Sequence, residues 1–76
     1  MLFRSWLYPN PAAGELNIHL PENVSLQKAV IYNNLGQKVK EYTGTQMFDV
    51  SGLASGTYQI KLNTSAGTAE LKFIKK

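Results

Sequence analysis

The 76-residue chain carries no cysteine, eight Lys and Arg against five Asp and Glu, and 43% hydrophobic residues. These numbers describe one small domain that needs a well-packed apolar core, and they exclude a second domain, a disordered tail, disulfides and thiolate metal sites. The net charge is +3, and the basic residues Arg4, Lys28, Lys38, Lys40, Lys61 and Lys72 are scattered singly or in alternation, which is the pattern of a solvated sheet face and not a nucleic-acid footprint.

The hydrophobic period is two throughout, with turn residues at short intervals. Phe3 to Tyr8 is predicted as a short strand ended by Pro9 and Pro11, which fix φ and remove two backbone donors. After the turn Ala12-Ala13-Gly14, Leu16, Ile18 and Leu20 alternate with Asn17 and His19 until Pro21 stops the strand. Gln27 to Tyr32 contains the continuous apolar run Ala29-Val30-Ile31-Tyr32 and is predicted to be central, with Tyr32 in the core. Asn33-Asn34-Leu35-Gly36 supplies hairpin chemistry, because Asn and Gly tolerate positive φ.

Gln37 to Thr43 is the returning strand, and Gln46 to Val50 follows with Phe48 and Val50 on one face. Ser51 to Gly56 is a crossing whose Leu53 is expected to plug back into the core. Thr57 to Asn63 places Tyr58, Ile60 and Leu62 inward; Thr64 to Gly67 turns the chain, and Ala69, Leu71 and Phe73 alternate with Glu70 and Lys72 to the last residues. No segment has a capped helical period. The expected fold is all-β: a small immunoglobulin-like β-sandwich of about seven short antiparallel strands with Greek-key links.

Catalytic constellations are not legible here. His19 sits on an outward face, and the carboxylates Glu15, Glu22, Glu41, Asp49 and Glu70 have no ligand-like spacing. Ser51, Ser55 and Ser65 lie in turns without a partnering base, and Gly52 to Gly56 has neither the lysine nor the following helix of a phosphate loop. No cofactor or metal is expected. No apolar run reaches the ~20 residues of a membrane-spanning helix, and the first residues lack the ordered regions of a secretory leader. Trp6 and Tyr42 are aromatic residues whose faces the pattern leaves open.

Five segments stand in a fixed order: Tyr8-Pro9-Asn10-Pro11; Asn34-Leu35-Gly36 with Val39; Phe48-Asp49-Val50-Ser51; Leu53 to Tyr58; and Lys72-Phe73-Ile74-Lys75-Lys76. In that order they resemble the C-terminal sorting domain of type IX secretion cargo, the Por secretion tail, over residues 8–76. The resemblance implies a single non-catalytic domain, 1–76, at the tail of a larger secreted protein. Its implied partners are the type IX machinery, a sortase of cysteine-protease type and a cargo domain in cis. The implied route is through the periplasm to the cell surface or medium, with cleavage near the start of the domain and attachment to an anionic lipopolysaccharide.

Recognition is expected at Lys72, Phe73, Ile74, Lys75 and Lys76, with the turn at Gly56 and Tyr58 holding that segment. The competing expectation for Lys75 and Lys76 is a solvated strand end, and for Gly56 and Tyr58 a structural role. Pro9, Asn10, Pro11 and Gly36 are expected to be structural. The alternative function is an adhesion or carbohydrate-binding module of immunoglobulin or fibronectin type, which needs Trp6 and Tyr42 both facing out.

Overall fold

Residues 6–9 and 11–76 are described by the computed structural model. The expected start of the first strand at Phe3, the side chain of Trp6 and Asn10 lie outside the described residues. Seven strands follow in order: β1 (Trp6–Tyr8), β2 (Glu15–His19), β3 (Leu26–Tyr32), β4 (Lys38–Thr43), β5 (Met47–Asp49), β6 (Gly56–Thr64) and β7 (Gly67–Lys75). They form two antiparallel sheets, a three-stranded one in the order β1-β2-β5 and a four-stranded one in the order β4-β3-β6-β7. The chain changes sheet between β2 and β3, between β4 and β5, and between β5 and β6, which is the Greek-key linkage of an immunoglobulin-like sandwich.

The core lies between the sheets and is built by alternation. Leu16 and Ile18 of β2 and Phe48 of β5 meet Ala29 and Ile31 of β3, Tyr58, Ile60 and Leu62 of β6, and Phe73 of β7. Phe48, Leu16, Ile31, Ile60 and Leu62 are fully buried, and each such aliphatic or aromatic side chain is worth about 1.5–3 kcal/mol on burial. Leu53 packs against this cluster from the β5–β6 crossing, as expected, and Leu20 does so just beyond β2.

One expectation about side-chain direction is corrected, and one face left open is settled. Tyr32 was expected in the core, yet it is half-buried and outside the core cluster. Ala29 and Ile31 take the inward positions of the apolar run, so Val30 and Tyr32 fall on the outer face of the sheet. Tyr42, whose face was open, turns inward: its ring lies 4.9 Å from that of Phe48, and its hydroxyl donates to the Asp49 carbonyl at 2.6 Å. That bond ties β4 of one sheet to β5 of the other. Burial, with the nearby Asp49 charge, pushes the Tyr42 phenol above its ordinary value.

Candidate recognition surface at the last strand

β7 pairs with β6 in nine consecutive positions, from Gly56↔Lys75 to Thr64↔Gly67. This register puts Phe73 and Lys75 on the core side and Lys72 and Ile74 on the outer face. Phe73 is 1% exposed and stacks on Tyr58, with centroids 5.5 Å apart and planes at 19°. Ile74 is half exposed, and Lys72 and Lys76 are exposed. Lys75 departs from the solvated strand end considered above: it is 8% exposed, and its ammonium donates to the Lys76 carbonyl at 3.0 Å. A long aliphatic stem lets lysine follow an apolar wall while its head finds an acceptor.

Ala12 holds the same segment from the other side. Its N–H donates to the Ile74 carbonyl at 2.7 Å, and its own carbonyl accepts from Lys76 N–H at 2.8 Å. The result is a parallel bridge between Ala12 and Lys75, with Ala12 fully buried. β1 stops before Pro9, whose peptide bond with Tyr8 is cis. Ala12 and Lys75, remote in the sequence, thus meet, a contact for which the sequence carries no local signal.

The Leu53-x-x-Gly56-x-Tyr58 segment is a tyrosine corner. The Tyr58 hydroxyl donates to the Ala54 carbonyl at 2.6 Å, four residues upstream, as in the corner of immunoglobulin-like sandwiches. Gly56 has φ of +153° and open space where a Cβ would stand, so glycine is needed there for the backbone and not for packing. The spacing was visible in the sequence and is the signal by which this role was discoverable.

Beside the corner lies an open cleft of about 480 Å³, lined by Asn33, Asn34, Leu35, Gly36, Thr57, Tyr58, Gln59 and Lys72. Three of the five ordered segments therefore share one pole of the sandwich. Elsewhere, on β3 and β4, Glu41 lies 3.9 Å from Lys28 and accepts a hydrogen bond from Lys38. That contact holds the Glu41 carboxyl below its usual range and the Lys38 ammonium above its own. Asp49 accepts from the Ser51 hydroxyl at 2.6 Å and from its N–H at 3.0 Å, which keeps the Asp49 carboxyl below its ordinary value. Among the described residues no cluster of three or more His, Cys, Asp or Glu is placed to hold a metal ion, and no helix is long and apolar enough to cross a membrane.

The arrangement is that of a small β-sandwich module whose last strand is gripped on both sides and whose distinctive residues gather at one pole. The chain matches the family model described as the secretion system C-terminal sorting domain over residues 6–76. It belongs to that family, the C-terminal sorting domains of type IX secretion. It is also 36% identical over 61 residues to beta-agarase A of Zobellia galactanivorans, an alignment that covers 76% of this chain and 11% of the agarase.

Proposed function

We propose that this domain is the address of a larger exported protein. The type IX machinery reads the folded sandwich at the closing segment Lys72 to Lys76 and carries the attached cargo through the outer membrane. Gly56 and Tyr58 hold that segment in place. A sortase then cuts near the start of the domain and joins the cargo to an anionic lipopolysaccharide at the surface. The observation that carries this reading is the double grip on β7, by β6 from Gly56 onward and by Ala12 at Ile74 and Lys76. It presents Lys72, Ile74 and Lys76 outward in a defined geometry while Phe73 and Lys75 anchor the strand. The agarase match supports the appended position, because a chain of this size spans only 11% of that enzyme. Against the adhesion reading, the half-buried Tyr42 packs its ring on Phe48 and does not stand out as a flat platform.

The test is export of a fluorescent reporter, carrying a periplasmic leader and fused ahead of residues 1–76, in a bacterium with type IX secretion. Removing Lys72 to Lys76 would also remove Phe73 from the core, so the informative variant is Lys72→Ala, Ile74→Ala and Lys76→Ala together. Reporter at the surface or in the medium with the parent domain, and periplasmic retention of a triple variant that still folds, is the expected result. Equal export of the two overturns the role of the closing segment.

A further inference from the structure

We propose that the Asn33–Gln37 turn is a built anchor: it presents Leu35 as a knob for an aliphatic socket, rimmed by carboxylates, on the protein that reads this domain. The inference rests on the sorting reading above and names the chemistry of the partner.

Leu35 is 77% exposed, against 38–54% for the other exposed large hydrophobic residues among those described. A lone exposed leucine is ordinary; its mounting is what distinguishes this one. Asn33 Oδ1 accepts from Leu35 N–H at 2.9 Å and from Gln37 N–H at 3.0 Å. Asn33 Nδ2 donates to Gln37 Oε1 at 3.0 Å. Backbone bonds from Asn33 N–H to the Gln37 carbonyl, at 2.9 Å, and from Gly36 N–H to the Asn33 carbonyl, at 3.0 Å, close the loop. Gly36, at φ +82° with open space around it, supplies the left-handed residue. The turn is complete with Asn33, Gly36 and Gln37, and the Leu35 side chain adds no hydrogen bond to it. A turn backbone already fixed by these bonds has little freedom left to lose on docking, which is how preorganisation raises affinity.

The surroundings define the socket. The cleft next to Leu35 is lined by amides, hydroxyls, small residues and one ammonium group, that of Lys72, with no carboxylate in its wall. On the outer face, Glu41 and Glu70 sit one register row further from the turn, opposite Val30 and Lys61 respectively. Glu41 is already engaged by Lys28 and Lys38. Ile74 is half exposed and pairs across from Thr57, which lines the cleft, so a second apolar contact lies at the same pole. An apolar anchor within a polar rim is the anatomy of an interface hot spot. With a chain of net charge +3, the complementary rim is acidic.

The experiment uses the reporter fusion described above with Leu35→Asp, Leu35→Ser, Leu35→Met, Lys72→Glu and Lys72→Arg. Export is expected to fall at least ~10-fold for L35D and L35S, in line with loss of a hot-spot anchor, and to stay near the parent level for L35M. K72E is expected to lose export where K72R keeps it. Melting temperatures of the purified variants are expected to stay within a few degrees of the parent, as for changes at exposed surface positions. In exporting cells, Leu35→p-benzoylphenylalanine is expected to photocrosslink to a partner peptide rich in aliphatic residues with Asp or Glu. L35D and L35S exported like the parent, or a crosslink to a Lys- and Arg-rich peptide, to a glycan or to a second copy of this domain, overturns the anchor. If the parent domain itself fails to export the reporter, the sorting reading falls instead.

Discussion

Replacing Tyr58 by Phe isolates one atom of the fold. The ring keeps its place against Phe73, so no cavity opens, and the loss is the 2.6 Å bond from the hydroxyl to the Ala54 carbonyl. A net intramolecular hydrogen bond is worth about 0.5–1.5 kcal/mol, and the Ala54 carbonyl is left to find another donor. The expected cost is therefore about 1 kcal/mol, which for a domain of this size lowers the melting temperature by about 4–8 °C. Tyr58→Ala removes the ring as well and is expected to cost about 3–5 kcal/mol, with about 0.5–1.5 kcal/mol more for the lost ring pair. That is a large share of the ~5–15 kcal/mol that holds a small domain together. Urea unfolding followed by tryptophan fluorescence gives the midpoint and slope, and Y58F is expected to shift the midpoint without changing the slope. A Y58F domain whose stability stays within about 0.3 kcal/mol of the parent would refute the tyrosine corner as a stabilising device. Loss of reporter export by Y58F at a temperature where it remains folded would make the hydroxyl part of recognition.

Ala12→Pro removes the donor to Ile74, worth about 1 kcal/mol, and forces a ring into a fully buried site, expected to cost about 1–3 kcal/mol more. Its specific mark is faster hydrogen exchange at Lys76 N–H, which bonds to the Ala12 carbonyl in the parent; unchanged exchange at Lys76 would rule out the bridge as a clamp. Lys75→Met keeps the buried stem and is expected to melt within a few degrees of the parent, whereas Lys75→Asp places a carboxylate at an 8% exposed site and is expected to lose about 3 kcal/mol or more. Similar melting of the two variants would show that Lys75 is not buried in solution. Asp49 has its folded carboxyl depressed by the two Ser51 bonds, so its contribution is present above the ordinary carboxylate value and is lost as pH falls through the folded value, below about pH 4. An NMR titration is expected to place Asp49 below the ordinary value and to return it there in Ser51→Ala; an unshifted carboxyl in the parent would remove this pH dependence.

Much of the sandwich is legible in the sequence because strand periodicity is local. Leu16 with Ile18, Tyr58 with Ile60 and Leu62, and Phe73 all sit inward where their alternation puts them. Asn33 and Gly36 mark the β3–β4 turn by their tolerance of positive φ, and Gly36 adopts it. Tyr32 shows where this reading stops. In a continuous apolar run the alternation has no polar residue to set its phase, so which of Val30, Ile31 and Tyr32 faces in depends on the register with β6. The Leu53-x-x-Gly56-x-Tyr58 spacing carried the corner, although its meaning depends on the crossing it closes.

The amino-acid sequence by itself determines the strands, the inward faces where polar and apolar residues alternate, the turns between them and the membership of the sorting-domain family, because each rests on spacing within a short stretch. Tertiary structure alone decides that Ala12 seals the end of β7, that Lys75 is buried while Lys76 is exposed, that Tyr42 reaches across to Asp49, and that the Leu35 turn, the tyrosine corner and Lys72 line one cleft. The physical reason is that backbone pairing and burial join residues remote in the chain, and neither the N–H of Ala12 nor the stem of Lys75 carries any chemical mark of the neighbour it will meet.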